Sequence, residues 1–232
     1  FHGLGQLGGL SLVSMKEVDL AQVARRFPHL TALRIWGKPG LASQMASLAQ
    51  LAQLRMFTAC DLFGYTAEEF PSASQLPQLS VLWLTSLPAD AAKASKAGYK
   101  KAAARGLDLS VTKARKPEWL AENLLNQFRD WDGREHISPA YAKKAALAYK
   151  NMLAVTRGID AAMAATAAAA ALEAMVTAYV AEFNKIERRT SIIETVEREE
   201  IYTVLAELLA QLAPQLGPAL VDAAALLALL DR

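Results

Sequence analysis

Apolar residues in the first half of the chain recur in a short motif that ends with period two. Leu7-Gly-Gly-Leu10-Ser-Leu12, Leu30-Thr-Ala-Leu33-Arg-Ile35, Leu51-Ala-Gln-Leu54-Arg-Met56 and Leu79-Ser-Val-Leu82-Trp-Leu84 share one spacing, and a weaker fifth copy falls at Ala104, Leu107 and Leu109. Their starts are separated by 23, 21, 28 and 25 residues. The last two apolar positions of each copy lie two apart, as a strand with one buried face requires. Between the copies the period changes to three and four, in VDLAQVARRF, GLASQMASLAQ, TAEEFPSASQ and ADAAKASKAGYKKAAARG, with Gly40, Thr66 and Pro88 near their starts. This pattern predicts a helical return after each strand.

A strand and a helical return every 20 or so residues resembles the leucine-rich repeat family, whose unit is about 20 to 29 residues long. The resemblance covers residues 1 to about 130, and KPEWLAENLLNQF reads as the helix of the last copy. It implies an α/β solenoid of short parallel strands with helical returns, and a concave face that recognises a protein partner. The Ala-rich, irregular copies point to a bacterial member. One departure is plain: where the family commonly carries an Asn, three residues after the last strand leucine, this chain has Met15, Lys38, Ala59 and Leu87.

Beyond residue 130 the pattern changes. RDWDGREHISP is a turn-rich stretch with Asp132-Gly133 and then Ser138-Pro139, a good N-cap followed by a proline suited to the first helical position. From there the apolar spacing predicts helices near 139–156, 159–187, 191–213 and 217–230, broken at Gly158, around Thr190 and at Pro214 to Pro218. The expected organisation is a solenoid over 1–130 and an all-α unit over 131–232, which would cover the last apolar layer of the repeats.

Composition narrows the function. With 53% hydrophobic and 21% charged residues the chain is that of a folded protein, and 25 basic against 23 acidic residues leave a formal charge of +2. No global field draws it to nucleic acid or an anionic membrane. Cys60 stands alone, so no internal disulfide forms and a cytoplasmic setting is expected. The chain opens at Phe1 without a Met or a basic leader, and reads as a fragment whose apolar edge near Leu4 to Leu12 would favour self-association. Ala161 to Ala181 has the length of a membrane span, but its apolarity is mostly alanine, Glu173 sits inside it, and Asp160 and Glu182 flank it, so a soluble helix is expected.

Strand geometry nominates the functional residues. With the leucines inward, the residues between and after them form two rows on the concave face: Ser11, Arg34, Arg55, Trp83, Asp108 and Val13, Trp36, Phe57, Thr85, Ser110. Arg34, Trp36, Arg55, Phe57 and Trp83 are therefore the expected partner-binding patch, since aromatic and arginine side chains dominate binding hot spots. The competing reading covers this patch with the C-terminal helices or with upstream repeats.

Other candidates carry less chemistry. Asp130, Asp132, Glu135 and His136 lie close together but match no calcium or zinc spacing, and His2 and His29 have no acid or nucleophile nearby in sequence. In IERRTSIIETVEREEIY, residues 186–202, Glu197 shares a helix face with Glu194 or Glu200, yet Arg188, Arg189 and Arg198 stand ready to neutralise the acids. KAGYKKAAARG is basic with one aromatic, and reads as a solvated helix or a phosphate contact. No phosphate-cradling glycine loop, nucleophile elbow or metal signature occurs, which weighs against catalysis and implies no cofactor. The alternative to a binding module is an effector or regulatory enzyme whose helical C-terminal unit carries the activity and whose repeats recognise the target.

Overall fold

The computed structural model describes residues 4–159, 163–216 and 221–231. His2, the Asp160 and Ala161 end of the Ala-rich stretch, and the expected break at 217–218 lie outside the described residues. The chain divides into two compact units, Phe1–Leu125 and Asn126–Arg232. Phe128 and Trp131 belong to the second unit's core, which sets the division before residue 130.

In the first unit, strands β1 (Gly9–Asp19), β2 (Ala32–Ser43), β3 (Met56–Phe63), β4 (Val81–Pro88) and β5 (Asp108–Arg115) form one parallel sheet in sequence order. Gly9 pairs with Ala32, Ala32 with Met56, Met56 with Val81 and Val81 with Asp108, so equivalent positions recur after 23, 24, 25 and 27 residues. Leu33, Ile35, Phe57, Ala59, Leu82 and Leu84 enter one core from alternate positions of β2, β3 and β4.

This register corrects the third copy of the motif. Leu33 pairs with Phe57 and Phe57 with Leu82, so the equivalent of Leu30-Thr-Ala-Leu33-Arg-Ile35 is Leu54-Arg-Met-Phe57-Thr-Ala59. The fifth strand is corrected in the same way, with Leu109 opposite Leu82 and Ser110 opposite Trp83.

A second regularity is in the backbone. Asp61, Ser86 and Lys113 immediately follow the register-paired residues Cys60, Thr85 and Thr112, and all three adopt positive φ, between 49° and 57°. Ser14 on β1 does the same at 55°. None is glycine, so each left-handed residue costs free energy that its surroundings must offset. At Ser86 part of that support is visible, since its Oγ accepts from Arg115 Nε at 3.0 Å.

The returns are less uniform than the spacing suggests. Helix α1 (Leu20–Arg26) starts on Asp19, whose Oδ1 accepts from the Ala21 and Gln22 amides, and α2 (Ala89–Ala103) buries Ala91, Ala92, Ser95 and Tyr99. GLASQMASLAQ gives only a 3-10 turn, Met45–Gln50, because Gly40 through Ser43 belong to β2 and Gln44 is left-handed. TAEEFPSASQ forms no helix. Pro71 disfavours helical backbone at Phe70, and two local turns are closed by side chains instead, Glu69 accepting from the Thr66 amide and Gln75 from the Ser72 amide. Helix α3 (Pro117–Asn123) follows β5.

The second unit is helical: α4 (Pro139–Arg157), α5 (Ala165–Thr190), α6 (Thr195–Leu216) and the short α7 (Ala223–Leu227). Ser138 is the N-cap of α4 and Pro139 its first residue. Pro214 is not a break but sits within the last turn of α6, where few backbone bonds remain to be lost. Helix α5 is long and apolar enough to cross a membrane by length and composition, the one such helix among the described residues. Its Leu172, Val176, Tyr179 and Phe183 nevertheless lie in a packed core, where Phe183 contacts the rings of Phe128, Trp131 and Tyr179 at 4.8 to 5.8 Å.

Candidate partner-binding face

Because Leu33, Ile35, Phe57, Ala59, Leu82 and Leu84 turn into the core, the residues alternating with them lie on the opposite face of the sheet. Two cross-strand rows result. One runs Ser11, Arg34, Thr58, Trp83, Ser110; the other runs Trp36, Cys60, Thr85, Thr112. Trp36 and Trp83 are 46% and 45% exposed, a large fraction for the costliest side chain to leave in water. They stand on strands two apart, roughly 10 Å across the sheet.

Three of the five expected patch residues therefore share this face. Phe57 does not: it is fully buried, its ring 6.3 Å from that of Phe70 in the core. Arg55 is exposed but precedes β3, beside Thr31 rather than Arg34, where its carbonyl accepts from the Ser80 and Val81 amides. Both misplacements follow from matching leucines literally at Leu51 and Leu54, which shifts the third copy by three residues. Asp108 moves too, pairing with Val81 in the row of Gly9, Ala32 and Met56.

The corrected rows bring in residues that leucine matching missed. Thr58 lies between Arg34 and Trp83, is only 6% exposed, and its Oγ1 has no hydrogen-bond partner. Arg34 places its guanidinium 5.7 Å from the centre of the Trp36 ring, a cation–π contact between residues two apart on one strand face, and no carboxylate among the described residues pairs with it. Thr85 and Thr112 share a hydroxyl hydrogen bond at 3.0 Å in the next row. Arg34 is the sole charged side chain in these two rows.

The polar residues of 186–202 divide between two roles. Glu197 is 2% exposed: one carboxylate oxygen takes Arg134 and His136, and the other accepts from the Glu194 amide at the start of α6. Arg134 also reaches Glu200 at 2.5 Å, and the Trp131 indole N–H donates to the same carboxylate at 2.8 Å. Burial pushes the Glu197 carboxyl up, but Arg134 and His136 outweigh it and hold the group below its ordinary value. A buried carboxylate held by three donors is an anchor between the 129–137 turn and α6, kept in its charged form by those donors. Arg198, Glu199 and Tyr202 instead join Phe183 and Asn184 around a half-open cavity of about 460 Å³.

Among the described residues no group of three His, Cys, Asp or Glu side chains could hold a metal ion. Tyr99, the aromatic of the basic stretch 96–106, is buried with its hydroxyl on the Pro71 carbonyl, and burial pushes its pKa up to about 12. Its lysines are thus left without an exposed ring on which a base could stack. The chain matches no protein-family model, no curated protein and no solved structure.

Proposed function

We propose that the first unit is a leucine-rich-repeat solenoid of irregular units, and that the protein is an interaction module binding a protein partner through the concave face of that solenoid. Sequential parallel strands, register spacings of 23 to 27 residues and a left-handed residue at one register position support the repeat reading. In place of the family's asparagine, the corrected register puts Leu62 and Leu87 into the core, so this stack holds its turns by packing rather than by an amide ladder.

The observation that carries the binding reading is the pair of half-exposed tryptophans, Trp36 and Trp83, on the face turned away from the core. Indole surface left in water is stabilised when a partner covers it, and Trp and Arg are the residues over-represented where binding energy concentrates. The test is capture from a lysate of the source organism, with wild type beside a Trp36→Ala, Trp83→Ala variant of equal thermal stability. A protein retained by the first and lost by the second supports the reading; one retained equally by both removes the face from it.

The cavity beside Arg198, Glu199 and Tyr202 favours a second reading, in which the helical unit carries an activity of its own and the repeats select the target. Saturable binding of a small molecule that Tyr202→Ala abolishes, with the partner still captured, is the result expected of that reading.

A further inference from the structure

Resting on the reading of the Trp36 and Trp83 face as a binding site, we infer that its partner presents an acidic peptide segment, a carboxylate beside an apolar side chain, across β2, β3 and β4. Three features of neighbouring residues converge on that chemistry. Arg34 is a permanently charged donor that contacts the ring of Trp36 and, among the described residues, pairs with no carboxylate, leaving its hydrogen-bonding edge open to one. Thr58, next to it in register, keeps a hydroxyl that is closed to solvent and has no partner; an unpaired buried hydroxyl is costly, and a second oxygen of the same peptide would satisfy it as the neighbouring side chains move onto the ligand. Trp83 closes the row on the other side and Trp36 lies diagonal to Thr58, opposite Cys60, so an apolar side chain laid over β3 meets an indole from each neighbouring strand.

The charge pattern selects the sign of the partner. Neither row contains an acid that could answer a basic peptide, and Asp108 lies at the far strand in another row. A neutral ligand such as a glycan would stack on the tryptophans but gain no charge-assisted hydrogen bond from Arg34. An acidic peptide supplies both the apolar surface and the carboxylate.

The experiment uses a synthetic array of decapeptides in which every position is scanned with Asp, Glu, Lys and neutral residues, probed with the full chain. Wild type is expected to retain peptides in which Asp or Glu adjoins an apolar residue. Arg34→Glu should weaken those peptides at least tenfold, Arg34→Lys less, and Thr58→Val at least threefold, with unchanged melting of the two arginine variants showing an intact fold. Retention that depends on Trp36 and Trp83 but ignores peptide charge overturns the acidic partner and leaves the face standing. Acid-selective retention that survives Trp36→Ala with Trp83→Ala overturns the face itself. An array with no retained peptide overturns the peptide inference.

Discussion

Arg34 stands opposite Thr58 across β2 and β3, with Trp83 next in the same row. Thr58 is 6% exposed on the outer face of the sheet, between these two larger neighbours, and its hydroxyl has no hydrogen-bond partner. Thr58→Val keeps the shape and removes the unpaired hydroxyl. It is expected to stabilise the first unit by about 1 kcal/mol in denaturant unfolding. A loss of stability would show that the hydroxyl is satisfied in solution.

Phe57 and Arg55, two residues apart, have opposite roles in this register. Phe57 is fully buried against Phe70, so Phe57→Ala should cost about 3 to 5 kcal/mol. Arg55 is exposed before the strand and holds its place through its backbone, so Arg55→Ala should change stability by less than about 0.5 kcal/mol. Equal costs for the two would contradict the pairing of Phe57 with Leu33 and Leu82.

Leu54 and Leu82 are buried in the same core. Leu54→Asp or Leu82→Asp buries a carboxylate without a partner and should abolish cooperative unfolding of the first unit. A cooperative melt near the wild-type temperature would contradict the placement of these two leucines in the core.

These variants also show what could be read from sequence and what could not. The segments around Leu10, Leu33 and Leu82, the helix at 89–103 and the Ser138-Pro139 start were legible because apolar period and the preference of proline for the first helical residue are local. The third copy was not, since Phe57 and Ala59 hold places where the other copies carry Leu, Ile or Val, while Leu51 and Leu54 offered a better literal match. Even spacing was the available signal. The absent helix at 66–75 was partly visible in Pro71, whereas the left-handed residues at Asp61, Ser86 and Lys113 left no glycine to mark them. The Arg134 and Glu197 pair joins residues 63 apart, and no local pattern announces it.

Glu197 gives a pH dependence of defined sign. Its folded pKa lies below the ordinary 4.5, so the stability it contributes is fully present above that value and is lost as the pH falls through the lower folded value. Glu197→Gln should cost the second unit about 3 kcal/mol near neutral pH by leaving Arg134 half-paired, and should flatten the acid limb of the stability profile. A profile of unchanged shape would show that other carboxylates set the acid response.

The claim at the centre is that Trp36 and Trp83 spend their surface on a partner and not on the fold. The melting temperature of the Trp36→Ala, Trp83→Ala variant, measured beside wild type, tests it before any partner is in hand. Two half-exposed indoles on the outer sheet face predict a fall equivalent to less than about 1 kcal/mol each. A loss of about 3 to 5 kcal/mol each, the cost of truncating a buried tryptophan, would place both rings in a core and contradict the binding face.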